Sequence, residues 1–217
     1  MEDGIEGAMA RIFGGVKRPL GSEALASAIL KALEKNRIEG LEGSFAPNHY
    51  SILVSPADAS AMLSLFPTLS AEVRRFVKGL AGERDYRLAG PVVVRWEAAR
   101  KIERGEATVQ AKVVSGQPEA VLSVVRGAQA GTDFLLEGPL VTVGRDAEND
   151  VLIADENVSR HHCEIRYAGG EFEVVDLGST NGVILNGRLV REGVLEDDDR
   201  LELGQTLLGF HIRPQRR

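Results

Sequence analysis

Three polar loop motifs between residues 144 and 187 place the strongest constraint on how this chain folds. They are Gly144-Arg145, Ser159-Arg160-His161-His162 and Gly178-Ser179-Thr180-Asn181-Gly182, and each lies between short runs of β-forming residues. Their guanidinium, hydroxyl and amide groups are ones with which proteins hold a phosphate. The stretch offers no nucleophile partnered with a base and no cluster of metal ligands, so it predicts phosphate binding without catalysis.

The sequence around these motifs consists of short β-type runs at close spacing, from Ala120 onward. The run Cys163-Glu164-Ile165-Arg166-Tyr167 alternates apolar and polar residues, as a half-buried strand does. Turn dipeptides such as Gly-Pro, Gly-Gly and Asn-Gly separate the runs. We therefore predict a β-sandwich with its loops at the two ends. The predicted strands span residues 121–125, 134–136, 140–143, 151–153, 163–167, 172–175, 183–185, 200–203 and 207–210.

Residues 1–115 predict a small α+β domain with the order αβαββ, a three-stranded sheet under helices. We expect a helix capped by Ser22 and ending near Asn36, and a second helix opening at Ser55-Pro56. Pro67 should interrupt or end that helix, and Leu69 should start another that runs to about Leu80. The predicted strands are 50–54, 92–96 and 107–114, and residues 40–47 read as a turn region.

Residues 1–19 carry apolar side chains at three- and four-residue spacing, which is typical of an amphipathic helix. We expect this helix to pack against its own domain or against a second copy. The apolar residues are Ile5, Met9, Ile12, Phe13 and Val16.

Composition limits the class of protein. At 217 residues with 43% hydrophobic and 27% charged side chains, the chain can form one large or two ordinary folded domains. The single cysteine, Cys163, excludes an internal disulfide and a multi-cysteine metal site. The sequence has no signal-peptide pattern and no apolar run near the ~20 residues that span a bilayer. We therefore expect a cytoplasmic protein without membrane insertion.

Charge is unevenly distributed. Residues 1–115 have a net charge of +2, whereas residues 116–217 have a net charge of −8. An acidic C-terminal half argues against a module that binds duplex DNA, because such binding depends on a basic surface. An anion bound there must be held by a local site.

The three motifs resemble those of the forkhead-associated (FHA) domain, a module that binds phosphothreonine peptides. The resemblance implies that Arg145 and Ser159 bind the phosphate and that Asn181 grips the adjoining peptide backbone. It further implies that Arg160 and Thr180 line the peptide groove. Gly144, His162 and Gly182 would shape the loops, with His162 bracing them from inside.

Taken singly, these residues have simpler interpretations. Arg145 could pair with Asp146 or Glu148, Ser159 could cap a turn, and Asn181-Gly182 is a common turn dipeptide. The ordered combination favours the binding site. His161 is expected to be exposed and incidental, Cys163 to be buried, and Glu196–Asp199 to be a solvated acidic turn.

The N-terminal half resembles the N-terminal domain of actinobacterial FhaA-type proteins, in the phrases Ala46-Pro47-Asn48-His49-Tyr50, Leu53–Asp58 and Gly90–Trp96. We therefore predict an FhaA-type domain at 1–115, a short linker at 116–119 and an FHA domain at 120–217. Relatives in this family carry a long low-complexity linker, and this chain does not. The resemblance implies a non-catalytic adaptor downstream of Ser/Thr kinases. Its partner would be a phosphothreonine-bearing protein, such as a membrane protein of cell-envelope or peptidoglycan control.

The αβαββ order also resembles KH-like and BON-like folds, which leaves a nucleic-acid-binding or architectural protein as the alternative. The tetrapeptide Gly40-Leu41-Glu42-Gly43 matches the KH loop pattern, but it precedes a strand and carries Glu where a basic residue belongs. His49 and Trp96 stand alone and read as half-buried strand residues. We expect no nucleic acid, cofactor or metal. Self-association through the N-terminal domain stays open.

Overall fold

The computed structural model describes residues 22–41 and 43–213. The chain divides into two compact units, Met1–Ser115 and Gly116–Arg217. The helix predicted for residues 1–19 lies outside the described residues, so that prediction stays untested.

The first unit contains three helices and six short strands within the described residues. The helices are α1 (Ser22–Asn36), α2 (Pro56–Met62) and α3 (Phe66–Glu83), with one tight helical turn at Leu63–Leu65. The strands are β1 (Ile38–Gly40), β2 (Gly43–Ala46), β3 (His49–Val54), β4 (Arg87–Leu88), β5 (Val93–Ala98) and β6 (Ala107–Lys112).

The predicted three-stranded sheet is present, with strand order β5-β3-β6. Central strand β3 runs parallel to β5 and antiparallel to β6. It contributes Tyr50, Ile52 and Val54 to the core, where they meet apolar side chains of α1 and α3 that recur at helical spacing. The α+β prediction for this half is therefore confirmed.

Two local predictions were wrong. Residues 40–47 do not form only a turn, because β1 and β2 pair as a hairpin and join β4 in a second sheet of order β1-β2-β4. These strands are short and rich in Gly and polar residues, so they lack the alternation that marks a strand. Pro67 neither interrupts nor ends the earlier helix. It lies in the first turn of α3, where a missing N–H removes no helical hydrogen bond.

The second unit is built of eleven strands in the described residues. They are β7 (Glu119–Arg126), β8 (Asp133–Leu136), β9 (Leu140–Gly144), β10 (Val151–Leu152), β11 (Cys163–Ala168), β12 (Glu171–Asp176), β13 (Val183–Leu185), β14 (Arg188–Val190), β15 (Glu192–Leu195), β16 (Arg200–Leu203) and β17 (Thr206–Arg213).

These strands form a five-stranded sheet of order β10-β9-β11-β12-β15 and a six-stranded sheet of order β14-β13-β16-β17-β7-β8. Buried apolar side chains such as Ile165 and Val174 on the first sheet and Leu122 and Phe210 on the second form the core. The β-sandwich prediction is confirmed. Strands β14 and β15 were missed, because they are only three and four residues long and too short to show a clear alternation.

Strand register brings the polar loops to one end of the sandwich. Cys163 pairs with Val143 near the end of β9, and it also pairs with Asp176 at the end of β12. Two segments therefore leave the sheet at the same end of its strands. They are the segment between Gly144 and Cys163 and the segment between Asp176 and Val183. All three sequence motifs lie in these segments or border them.

Candidate functional site

The first motif is held by a close backbone approach at Gly144. A Cβ atom added to Gly144 would clash with the Arg160 carbonyl oxygen and would lie 2.8 Å from the Asn149 side-chain nitrogen. Glycine is therefore required here for space rather than for an unusual backbone angle. The next residue, Arg145, donates its backbone N–H to the Ser159 carbonyl at 3.0 Å. That bond fixes Arg145 beside the second motif.

The Arg145 side chain is exposed. Among the described residues its guanidinium has neither an ion-pair nor a hydrogen-bond partner, so the simpler interpretation of pairing with Asp146 or Glu148 does not hold. An exposed guanidinium without such a partner, next to the other two motifs, can present two parallel N–H donors to an anion.

Ser159 and Thr180 join the second and third motifs. The Thr180 backbone N–H donates to Ser159 Oγ at 3.0 Å, which fixes the position of that oxygen. The Ser159 O–H points at Thr180 Oγ1 across 3.4 Å, the long end of the hydrogen-bond range. This weak contact leaves the Ser159 proton free to turn towards a better acceptor.

The side chain of His162 links the loop that carries Ser159 to the loop that carries Gly182. Its ring is fully buried, with Nδ1 accepting the Ser159 backbone N–H at 3.0 Å and Nε2 lying 3.1 Å from the Gly182 carbonyl oxygen. A backbone N–H can only donate and a carbonyl can only accept, so the neutral ring must carry its proton on Nε2. The backbone of His162 continues the link, donating to Val143 and accepting from Leu177.

Burial lowers the pKa of His162. The hydrogen bond to Gly182 and the charges of Asp176 and Asp155 act in the opposite direction and do not outweigh it. A neutral ring suits the geometry, because a protonated Nδ1 would face the Ser159 N–H donor to donor.

Asn181 is exposed, and its side-chain amide donates to the Asn157 carbonyl at 2.8 Å. Asn157 is held in turn by Asp155, which accepts hydrogen bonds from the Asn157 backbone and side chain and from Gln205 and Thr206. Burial raises the pKa of Asp155, but these hydrogen bonds outweigh burial and bring it below its ordinary value.

Sequence reasoning missed Asn149, the buried anchor of the loop between β9 and β11. Its amide nitrogen donates to the Arg160 carbonyl at 2.7 Å and to the Asp146 carbonyl at 2.8 Å. Its oxygen lies 3.3 Å from Nδ1 of exposed His161. Arg160 thus has its backbone fixed while its side chain stays exposed. By sequence alone Asn149-Asp150 is an ordinary turn dipeptide, which gives no sign of this role.

Gly182 has a φ of 73°, a conformation that favours glycine, and a Cβ there would clash with the Leu189 side chain. Because the exposed Leu189 side chain can turn aside, the third motif needs glycine for its backbone angle rather than for space.

Two further predictions can be compared with the structure. Cys163 is buried, as expected, and burial raises the pKa of its thiol to about 12. The acidic turn before β16 is not simply solvated, because Asp197 is buried and accepts the Ile212 N–H at 2.7 Å. Ligand atoms of Asp197, Asp198 and His211 lie within 4.8 Å of one another. The hydrogen bonds of these carboxylates tie the turn to β17, so we interpret the group as structural.

No helix in the described part of the chain is long and apolar enough to cross a membrane.

Comparison with known protein families matches both halves of the chain. The FHA domain model matches residues 141–204, and the model of the FhaA N-terminal domain matches residues 1–110, about half of the chain.

Two curated relatives are similar to part of the chain. The glycogen accumulation regulator GarA of Mycolicibacterium smegmatis is 42% identical over 104 residues, which cover 47% of this chain and 66% of that protein. The oxoglutarate dehydrogenase inhibitor of Corynebacterium diphtheriae is 36% identical over 137 residues, which cover 62% of this chain and 96% of that protein.

Among solved structures, the FhaA FHA domain complexed with the intracellular domain of Rv3910 is 32% identical, with a TM-score of 0.40. The match covers 42% of this chain and 99% of that one. On the family models alone, both resemblances predicted from the sequence are confirmed: the chain belongs to the FhaA family, with an FhaA N-terminal domain followed by an FHA domain.

Proposed function

We propose that this protein is a non-catalytic signalling adaptor that binds phosphothreonine in partner proteins through Arg145, Ser159, Arg160, Thr180 and Asn181. The observation that carries the proposal is the convergence of three loops. An unengaged guanidinium, a fixed hydroxyl and an exposed amide lie on loops that are joined by hydrogen bonds, some between backbones and some between a backbone and a side chain.

Each group has a chemical role in this proposal. Arg145 supplies paired charge-assisted donors to the phosphate. Ser159 turns its O–H from Thr180 Oγ1 to a phosphate oxygen, while its oxygen continues to accept the Thr180 N–H. Asn181 uses one amide N–H to hold Asn157, and its remaining N–H and carbonyl are suited to a peptide backbone.

The electrostatic balance supports a site that depends on Arg145. Residues 116–217 carry a net charge of −8, so the general field of this half opposes a phosphate dianion. Affinity must come from short, directed contacts. Binding should therefore require the phosphate and should weaken markedly when the guanidinium is removed.

The finer part of the proposal concerns the pathway. We infer a place downstream of Ser/Thr kinases, with a membrane-associated phosphoprotein of cell-envelope control as the partner. The N-terminal half supports this choice over metabolic control. Its support is the match of residues 1–110 to the model of the FhaA N-terminal domain.

Isothermal titration of the full chain with a phosphothreonine peptide and its unphosphorylated twin tests the adaptor function. A charge-assisted hydrogen bond contributes about 1.5–3 kcal/mol, so Arg145→Ala should weaken binding at least about tenfold. Arg213→Ala is the matched control, because Arg213 lies at the opposite end of β17 from Thr206, which contacts the site through Asp155. Equal binding of the unphosphorylated peptide, or unchanged affinity in Arg145→Ala, would refute the proposal.

The pathway needs a separate experiment. Wild-type and Arg145→Ala chains serve as baits for cross-linking in cells, and captured proteins are compared by mass spectrometry. We expect a phosphorylated membrane protein to be captured by wild type alone. Capture of only phosphorylated metabolic enzymes would contradict the envelope role and leave the adaptor function standing.

A further inference from the structure

Within the described residues, strand β6 is an edge strand of the sheet of order β5-β3-β6. Among the described strands it pairs only with β3, so alternate N–H and C=O groups along its outer side can pair with another extended chain. A groove of about 390 Å³ runs beside this edge, between β6 and α1. Backbone groups able to pair and space for side chains thus lie next to each other.

The groove owes its volume to small side chains. Ala28 and Ala32 line it from α1, and Ala107 and Ala111 line it from β6. Asn36 also borders the groove, but its amide already donates to the Ala32 carbonyl at 2.7 Å. An incoming chain therefore meets these methyl groups together with the side chains of residues 108–110, and it can place its own side chains beside them.

The rim of the groove is positively charged. Lys31 and Lys35 stand four residues apart on one face of α1, both exposed and without an ion-pair partner among the described residues. None of the residues that line the groove carries a carboxylate. Glu34 belongs to a different cluster, where it is paired with Arg84 at 2.8 Å and with Arg37 at 2.9 Å.

We propose that this groove binds an extended acidic segment of a partner protein, which adds to β6 as a further strand. Main-chain hydrogen bonds along the edge would give affinity for any extended peptide. Carboxylates spaced to reach Lys31 and Lys35 would select acidic ones. The lining residues include no aromatic side chain on which a base could stack, so a peptide fits better than a single-stranded nucleic acid.

The test uses the full chain and a fluorescently labelled, unphosphorylated peptide in which Glu and Val alternate. Because the probe carries no phosphate, the result is independent of the phosphothreonine site. We expect saturable binding and slower amide hydrogen exchange in residues 107–112 when the peptide is bound. The double variant Lys31→Glu, Lys35→Glu should weaken binding about tenfold, since two ion pairs are lost and become repulsive.

Two further variants separate charge from shape. Lys101→Glu changes the same charge in the exposed turn before β6, and it should alter affinity by less than about twofold. Ala28→Leu fills the groove without changing charge, and it should also weaken binding. Circular dichroism checks that each variant is folded.

Three results would overturn the proposal. One is equal binding of a peptide with Lys in place of Glu, which would show that the edge does not select acidic chains. Another is unchanged hydrogen exchange in residues 107–112 at saturation. The third is displacement of the peptide by a single-stranded oligonucleotide that binds more tightly, which would favour a nucleic-acid surface.

Discussion

The imidazole of His162 accepts the backbone N–H of Ser159 at 3.0 Å, and it does so through Nδ1, the ring nitrogen that must be unprotonated. The same ring meets the Gly182 carbonyl through Nε2 at 3.1 Å. One buried side chain therefore fixes two loops of the candidate site, and it does so only while it is neutral. This dependence on protonation gives the first prediction.

Stability of the FHA half should fall as the solution is acidified below about pH 6.5, the ordinary pKa of histidine. Burial holds the pKa of His162 below that value in the folded state, so the unfolded chain takes up a proton first as pH falls. The stabilisation is complete above the unfolded pKa and is lost as pH falls through the window down to the folded one.

Nitrogen NMR of the ring should show the Nε2-protonated tautomer at pH 7, and urea unfolding at a series of pH values measures the loss. His162→Gln cannot take up the proton, so its stability should be lower throughout and should lack this slope. An Nδ1-protonated ring at neutral pH would contradict the prediction.

A second prediction concerns Gly144. An added methyl group meets the Arg160 carbonyl, which is backbone and cannot turn aside. Gly144→Ala should therefore destabilise the chain by about 1–3 kcal/mol, the usual cost of forcing an extra methyl into a packed site. Phosphopeptide affinity should fall as well, because the shift moves Arg145 and Arg160 apart.

Gly79→Ala is a control that should change the stability of the chain in the opposite direction. Gly79 lies inside α3 with nothing within 4 Å of an added Cβ, so alanine should stabilise that helix by about 0.5–1 kcal/mol. Thermal unfolding of both variants measures the two effects. Wild-type stability in Gly144→Ala would mean that the loop is not held as tightly as its hydrogen bonds indicate.

The sequence predicted those parts of the fold whose signal is periodic or local. Alternation from Cys163 to Tyr167 gave β11, and the helical spacing of Leu25, Ile29 and Leu33 gave α1. The hairpin at residues 38–46 carries no such pattern, and its second strand also pairs with β4. No local rule predicts a parallel partner more than forty residues away.

The same distinction applies to the candidate site, where some residues could be predicted from the sequence and others could not. Arg145, Ser159 and Asn181 were found because their side-chain chemistry and order are distinctive. Asn149 was missed, since its role depends on the Arg160 carbonyl, which reaches it only when β9 and β11 are paired. A side chain that binds remote backbone leaves no periodic trace in the sequence.

A third prediction concerns His49 in the first unit. Burial, with the nearby charges of Lys112 and Arg95, lowers the pKa of this half-buried histidine to about 4. The folded-state value lies below the unfolded one, so stability of this unit should be complete above about pH 6.5 and should decline as pH falls towards 4.

An NMR titration of the His49 ring measures the pKa directly, and His49→Gln should flatten the decline in urea unfolding. His211 is the internal control, because its hydrogen bond to Asp198 raises its pKa. It should titrate on the opposite side of pH 6.5 from His49. Titration of His49 near its ordinary value would show that the ring is more solvated than its position on β3 indicates.

The last prediction is that the site prefers phosphothreonine to phosphoserine. Both carry the same dianion, so contacts with Arg145 and Ser159 cannot distinguish them. The difference must come from the γ-methyl group, and we expect the loop that carries Thr180 and Asn181 to supply its pocket. One buried methyl contributes about 0.8 kcal/mol, and an empty pocket adds a cavity cost. Phosphoserine should therefore bind about fourfold more weakly, or worse.

Matched phosphothreonine and phosphoserine peptides titrated into the wild-type chain and Arg145→Ala separate charge from shape. Arg145→Ala should weaken both peptides by the same factor, so the ratio of their affinities should survive wherever binding is measurable. Asn181→Ala should reduce affinity by about 0.5–1.5 kcal/mol, because it removes a neutral hydrogen-bonding group and frees the Asn157 carbonyl. Equal affinity of the two peptides for the wild-type chain would contradict the prediction of a methyl pocket, because charge alone would then account for recognition.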